Sequence, residues 1–342
     1  MFFDRERKLE KLLKLVSAEP NLITFVYGPI NSGKTALIME FVNRLPENYV
    51  AFCINLRRTP VTSYEDFVDV LFSVEFRNKV KNLKEAVSLI LSTGKEAFGF
   101  PVPAELLEGI TREKKPKNAF AYIATLMEEV KKAGKRPVLI LDELQVIGDL
   151  KVNGSLIYEL FNFLVHLTKE THLSHVFVVT GDSLFIEKVY SEAMLQGRAD
   201  YFLVDDFDRE TALAFLKGQS FTDEEAGLVW NYFGGKPVYL VEAPKHREEL
   251  EEWCRGELED KVSWLVFSLN SLKRSNPELF EGIVELFEEF REAEAVNCDE
   301  LSDAVRWAVK NNVLFLNLRK RLLKPQGRLE LLAIREVLGM VG

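Results

Sequence analysis

The chain has 342 residues, 47% hydrophobic and 28% charged, which is enough apolar material for two or three packed domains. Its 53 acidic against 44 basic residues give a net charge of −9, which argues against nucleic-acid binding over the whole surface and leaves room for a local basic patch only. No apolar stretch approaches the ~20 residues that cross a bilayer, and Cys53, Cys254 and Cys298 lack disulfide or zinc spacing, so a cytoplasmic protein without membrane contact is expected.

The first element is an apolar strand-like run, Leu22 to Tyr27, and the helix-like run Ala36 to Val42 follows shortly after it. Between them, Gly28-Pro29-Ile30-Asn31-Ser32-Gly33-Lys34-Thr35 fits G-x-x-x-x-G-K-[ST] in the strand–loop–helix setting that gives the pattern meaning. Backbone N–H groups along such a loop and at the helix start, here Ala36, converge on phosphate oxygens. Lys34 would neutralise the β- and γ-phosphates, and the Thr35 hydroxyl would hold Mg²⁺. A nucleoside triphosphate is therefore the expected ligand.

Tyr49 to Leu56 reads as a second strand. Helical periodicity then runs through residues 63–133, broken by turn-rich segments, and predicts a helical insertion over about 60–133. Pro137 to Leu141 is a continuous apolar run ending in Asp142 and Glu143, as suits a central strand buried on both faces. His175 to Gly181 and Tyr201 to Val204 repeat the pattern. The expectation is an α/β core over residues 1–207 with a largely parallel five-stranded sheet.

From Asp208 the strand signal stops, and residues 208–274 read as a helical lid. The final segment, 275–342, predicts helices over Glu278–Glu292 and Asp299–Asn311, the second capped by Asp299 or Asn297. Val313 to Leu318 and Leu322 to Lys324 read as a hairpin around Arg319-Lys320-Arg321, with a last helix after Pro325-Gln326-Gly327. Helices followed by a short hairpin make a winged-helix-like domain, with two helices before the hairpin where three are usual.

Asp142 and Glu143 end their strand at the sheet edge where ligands of open α/β folds bind. Asp142 would orient Mg²⁺ through its water shell and Glu143 would polarise the attacking water. Guanine-reading Asn-Lys-x-Asp is missing, since Asn78-Lys79 continues Val80-Lys81. Leu91-Ser92-Thr93-Gly94 lacks the glycine pair of an ABC signature. ATP is thus favoured by elimination.

Phe2-Phe3-Asp4-Arg5-Glu6, the two phosphate-site motifs, Thr180-Gly181-Asp182-Ser183, Gly197-Arg198 and Gly234-Gly235-Lys236-Pro237 occur in one order along the chain. In that order they resemble the archaeal ATPases of the AAA+/STAND class of NTPases, over essentially the whole length. The resemblance implies an ATPase core, a helical lid and a C-terminal winged-helix region. It also implies that Phe3 and Arg5 lie near the adenine and that Pro237 meets the nucleotide from the lid. Thr180 and Asp182 would stand at the polar position near the γ-phosphate, and because Asp182 replaces the Ser that relatives often carry, that role falls to Thr180 or Ser183. Arg198 matches the arginine that ring-forming members use on transition-state charge, in cis or across subunits of a homo-oligomer.

Three roles for ATP are compatible with these residues. One is a slow hydrolytic switch acting on a macromolecular partner. Another is DNA binding, with Arg319, Lys320, Arg321, Lys324 and Arg328 gripping phosphates. The third, a non-catalytic ATP-binding scaffold, fits less well with Lys34, Thr35, Asp142 and Glu143 all present.

Overall fold

The computed structural model describes residues 3–58, 66, 75–76, 119–147, 156–192 and 195–341. Helix α1 (Glu6–Ser17) buries Leu9, Leu12 and Val16, a spacing that places them on one face. Strand β1 (Ile23–Tyr27) is buried at every position, as a strand covered on both faces must be. Then come α2 (Lys34–Arg44), β2 (Tyr49–Asn55), β3 (Glu75–Phe76), α3 (Ala119–Lys132) and β4 (Arg136–Asp142). Helix α4 (Leu156–Val165), β5 (His175–Thr180), α5 (Ser183–Glu192) and β6 (Ala199–Leu203) complete the first half.

Strands β2, β4, β5, β1 and β6 lie side by side in that order and run parallel, the five-stranded sheet expected from the apolar runs. The structure adds β3, antiparallel on the outer edge of β2 and paired through Phe52↔Phe76 and Cys53↔Glu75. Two residues are too few to show a strand period, so nothing in the local pattern announces β3. The insertion expected over about 60–133 lies outside the described residues apart from Asp66, β3 and its last part, which forms α3.

The second half is mainly helical: α6 (Arg209–Gly218), α7 (Asp223–Phe233), α8 (Pro237–Glu242) and α9 (Leu250–Ser275). Asp208 caps α6, its Oδ1 accepting from Thr211 N at 2.9 Å, and Thr222 with Glu225 forms a reciprocal capping box on α7. Helix α10 (Pro277–Glu288), β7 (Val296–Asn297), α11 (Asp303–Lys310), β8 (Leu314–Asn317), β9 (Leu322–Pro325) and α12 (Arg328–Val341) follow. The strands β7, β9 and β8 form a small antiparallel sheet.

Helix α11 starts four residues later than its expected Asp299. Its cap is Ser302, whose Oγ accepts from Val305 N at 3.3 Å, because the residues before it are still leaving β7. Helix α9 packs against both α10 and α12, and one apolar cluster runs from Ala212 to Leu338.

The hairpin β8–β9 touches the first half of the chain. Phe315 packs on the Tyr27 ring at 6.1 Å, and Tyr27 Oη donates to Asn317 Oδ1 at 3.2 Å. These contacts set the C-terminal sheet over the carboxyl end of β1, where the glycine-rich loop begins.

Candidate functional site

Strand β1 delivers the loop Gly28–Thr35, β4 delivers Asp142 and Glu143, and β5 delivers Thr180, all at the carboxyl edge of the sheet where the loop amides can face a ligand. A Cβ on Gly28 would lie 2.0 Å from Val204 O, so only glycine lets the chain leaving β6 pass this close. Asn31 and Gly33 take left-handed φ values of 59° and 87°, which turn the loop into the start of α2. Lys34 is buried and folds back on the loop, donating through Nζ to Gly28 O at 3.1 Å and Pro29 O at 2.7 Å. Burial, and then the nearby Lys236 ammonium, lower its pKa to about 8.

Asp142 Oδ2 accepts from Thr35 Oγ1 at 3.4 Å and Asn55 Nδ2 at 3.3 Å. Its Oδ1 is buried and has no hydrogen-bond partner among the described residues. Burial, reinforced by the Glu143 charge, pushes the carboxyl up to about 6. An orphaned carboxylate oxygen beside a hydroxyl is a donor set that fits a hard divalent cation.

Glu143 sits just past the strand with φ of 62°, its N–H donating to Val179 O at 3.0 Å. Its Oε2 pairs with Arg57 Nη2 at 2.9 Å and accepts from Gln145 Nε2 at 2.7 Å. Gln145 Oε1 in turn accepts from Thr180 Oγ1 at 2.8 Å, so Glu143 and Thr180 are joined through one amide. Asp182 belongs to the next helix: its Oδ1 accepts from Leu184 N at 2.9 Å and Phe185 N at 3.1 Å, which caps α5.

A cleft of about 610 Å³ opens here. Asn31, Lys34, Thr35 and Glu143 line it from one side, Pro237 and Val241 from α8, and Lys310 and Asn312 from the end of α11. Arg5 lies behind the loop, where its Nη2 donates to Ser32 O at 2.8 Å and Asp205 O at 2.7 Å and its guanidinium stacks 4.5 Å from the Phe207 ring. Burial draws its pKa below the usual value despite Asp206 and Asp205. Phe3 packs edge-on against Phe207 and Phe215.

Arg198 is not brought to this edge. Its carbonyl accepts from Ile23 N at 3.0 Å, at the amino end of β1. The length of β1, about 17 Å at ~3.3 Å per residue, separates it from the loop within one chain.

The profile of the family described as "ATPase domain predominantly from Archaea" matches residues 2–243. The chain belongs to this archaeal ATPase family. It is thus an ATP-binding P-loop protein, and residues 251–338 of this archaeal ATPase match a second profile, the C-terminal domain of MJ1010-like uncharacterized ATP-binding proteins. Relatives named as uncharacterized ATP-binding proteins include one from Pyrococcus abyssi, 71% identical over 341 residues and covered completely on both sides. Another, from Methanocaldococcus jannaschii, is 47% identical over 350 residues, with 98% of this chain and 97% of that one covered.

Among solved structures, a Walker-type ATPase of Pyrococcus abyssi superposes with a TM-score of 0.64 at 17% identity, covering 98% of this chain and 96% of the other. The ORC2 protein of Aeropyrum pernix, seen with ADPNP and ADP, gives 0.52 at 12% identity, with 98% and 94% covered. At such identities they share the fold of this archaeal ATPase and no more.

Several site residues escape a sequence reading. Asn55 ends β2 and Arg57 follows it, Gln145 comes two residues after Glu143, and Lys236 and Gln326 meet the loop from distant positions. Only Lys236 had a nearby signal, the Gly-Gly-x-Pro turn, in which a Cβ on Gly235 would come 1.8 Å from Phe207 O.

Proposed function

We propose that this archaeal ATPase is a slow, Mg²⁺-dependent ATP-hydrolysing switch of the AAA+/STAND type that signals its nucleotide state to a protein partner. Residues 1–207 serve as the core, 208–274 as the lid and 275–342 as a winged-helix-like module. The observation that carries this reading is the composition of the cleft, in which the phosphate loop, Glu143, Pro237 and Lys310 face one space. A nucleotide held there touches core, lid and C-terminal module together, so ATP and ADP can favour different arrangements of the three.

The loop from Gly28 to Ala36 wraps the phosphates, with the amides of Gly33 to Ala36 and the Lys34 ammonium donating to them. Thr35 and Asp142 hold Mg²⁺, which supplies positive charge at the phosphate oxygens when bound. Glu143 polarises the attacking water, and Thr180 fixes the carboxylate's orientation through Gln145. Phe3 and Arg5 shape the wall toward the base, and Pro237 closes on the nucleotide from α8.

A DNA-binding role is less favoured by the same geometry. Lys324 Nζ pairs with Asp205 at 2.6 Å, Arg319 Nη1 donates to Tyr201 O at 3.2 Å, and Arg328 Nη1 pairs with Glu294 at 2.9 Å. These three of the five cations already engage the protein's own groups, while Arg319, Lys320 and Arg321 are exposed at the hairpin tip.

The test is a pair of variants assayed for ATP binding and single-turnover hydrolysis. Lys34→Ala is expected to abolish binding, whereas Glu143→Gln is expected to keep ATP while slowing cleavage about 10²- to 10⁴-fold. Normal turnover in either variant would overturn the assignment.

A further inference from the structure

We infer that Gln326 is a positioning residue for the phosphate loop, and that docking of the C-terminal module through it sets how fast nucleotide leaves. The inference rests on the reading of the loop as an ATP site.

Ile30, in the first half of the loop, has both of its peptide groups gripped from outside the core. Its N–H donates to Gln326 Oε1 at 2.9 Å, and its carbonyl accepts from Lys236 Nζ at 3.1 Å. The same ammonium donates to the Gln326 carbonyl and pairs with Asp206 Oδ2 at 2.9 Å. Three acceptors use all three of its protons. The lid and the C-terminal module thus hold one loop residue through a shared pair of side chains.

The Gln326 amide has one orientation open to it. Nε2 donates to Leu314 O at 3.2 Å, which leaves Oε1 toward the Ile30 N–H, and the backbone N–H of Gln326 donates to Val313 O at 2.9 Å. At 4% exposure the side chain is buried, so it holds the loop from behind and leaves the phosphate face free. The next residue, Gly327, allows the approach: a Cβ there would stand 2.7 Å from Lys236 Cε.

Without this support the Ile30 N–H loses its buried acceptor, and the loop gains freedom that nucleotide binding must then remove. By linkage, nucleotide must tighten docking of the β8–β9 hairpin by the same factor that docking tightens nucleotide. A partner that draws the C-terminal module away would therefore act as an exchange factor.

The test uses the full chain. Gln326→Met keeps the length but removes the acceptor, and Ile334→Val is a packing control inside α12. Release of Mg²⁺-bound fluorescent ADP is followed by stopped flow, and amide exchange at Leu314 to Asn317 is measured with and without ADP. Gln326→Met is expected to release ADP about tenfold faster and to lose the ADP-dependent protection of β8. Ile334→Val should stay within about threefold of the parent. Equal release from the Met variant and the parent, or equal acceleration in the packing control, overturns the inference. A parent protein that binds no ADP overturns the nucleotide reading and this inference with it.

Discussion

Arg57 Nη2 stands 2.9 Å from Glu143 Oε2, so the carboxylate best placed to polarise water is held by a cation from the end of the neighbouring strand β2. The Arg57 side chain is 72% exposed, so the pair adds less than about 1 kcal/mol to stability and can open readily. Arg57→Ala should free Glu143 and raise ATP turnover severalfold, with little change in melting temperature. Steady-state phosphate release decides, and an unchanged or lower kcat would contradict a restraining role for the pair.

His175, at the amino end of β5, has a buried Nε2 with no partner among the described residues, and burial with the neighbouring Arg136 lowers its pKa to about 4 from 6.5. The folded state therefore refuses a proton that the unfolded chain accepts. Stability from this group is complete above pH 6.5 and falls as the pH drops toward 4, by up to about 3 kcal/mol at 1.36 kcal/mol per unit. Chemical denaturation of His175→Asn across that window should show a flatter pH profile than the parent. Parallel profiles would show that another group governs acid sensitivity.

Arg198 lies at the opposite sheet edge from its own phosphate loop, so any action on ATP has to come from a neighbouring copy. Arg198→Ala should be slow alone, and mixing it with a Lys34→Ala variant should restore part of the lost turnover. Rescue reports action in trans. No rescue, together with full activity of Arg198→Ala alone, would remove the residue from catalysis.

Lys324 and Asp205 join the C-terminal hairpin to the segment after β6. Replacing Arg319 and Lys324 by Glu should loosen this docking, seen as earlier proteolysis of the C-terminal module, without altering any DNA affinity. Gel shifts of the parent at low salt are expected to show no retardation. Salt-sensitive retardation that disappears in the double variant would revive the DNA reading.

What the sequence determines by itself is the chemistry that fits into consecutive residues. Gly28 to Thr35 is legible because its donors come from adjacent peptide units and the flanking apolar runs state the setting. The central strands are equally legible: burial on both faces forces unbroken apolar runs ending at Asp142 and Thr180. The two-residue β3 and the late start of α11 are not, because the first is too short to carry a period and the second is set by where β7 lets the chain go.

Tertiary structure alone decided who attends the loop. Arg57, Lys236 and Gln326 are separated along the chain and show no shared spacing, yet sheet order and hairpin docking carry them to Glu143 and Ile30. Strand register likewise moved Arg198 to the far edge. A motif records contacts between neighbours in sequence; the partners of buried ammonium and amide groups are fixed only when packing closes water out and leaves each donor one acceptor within reach.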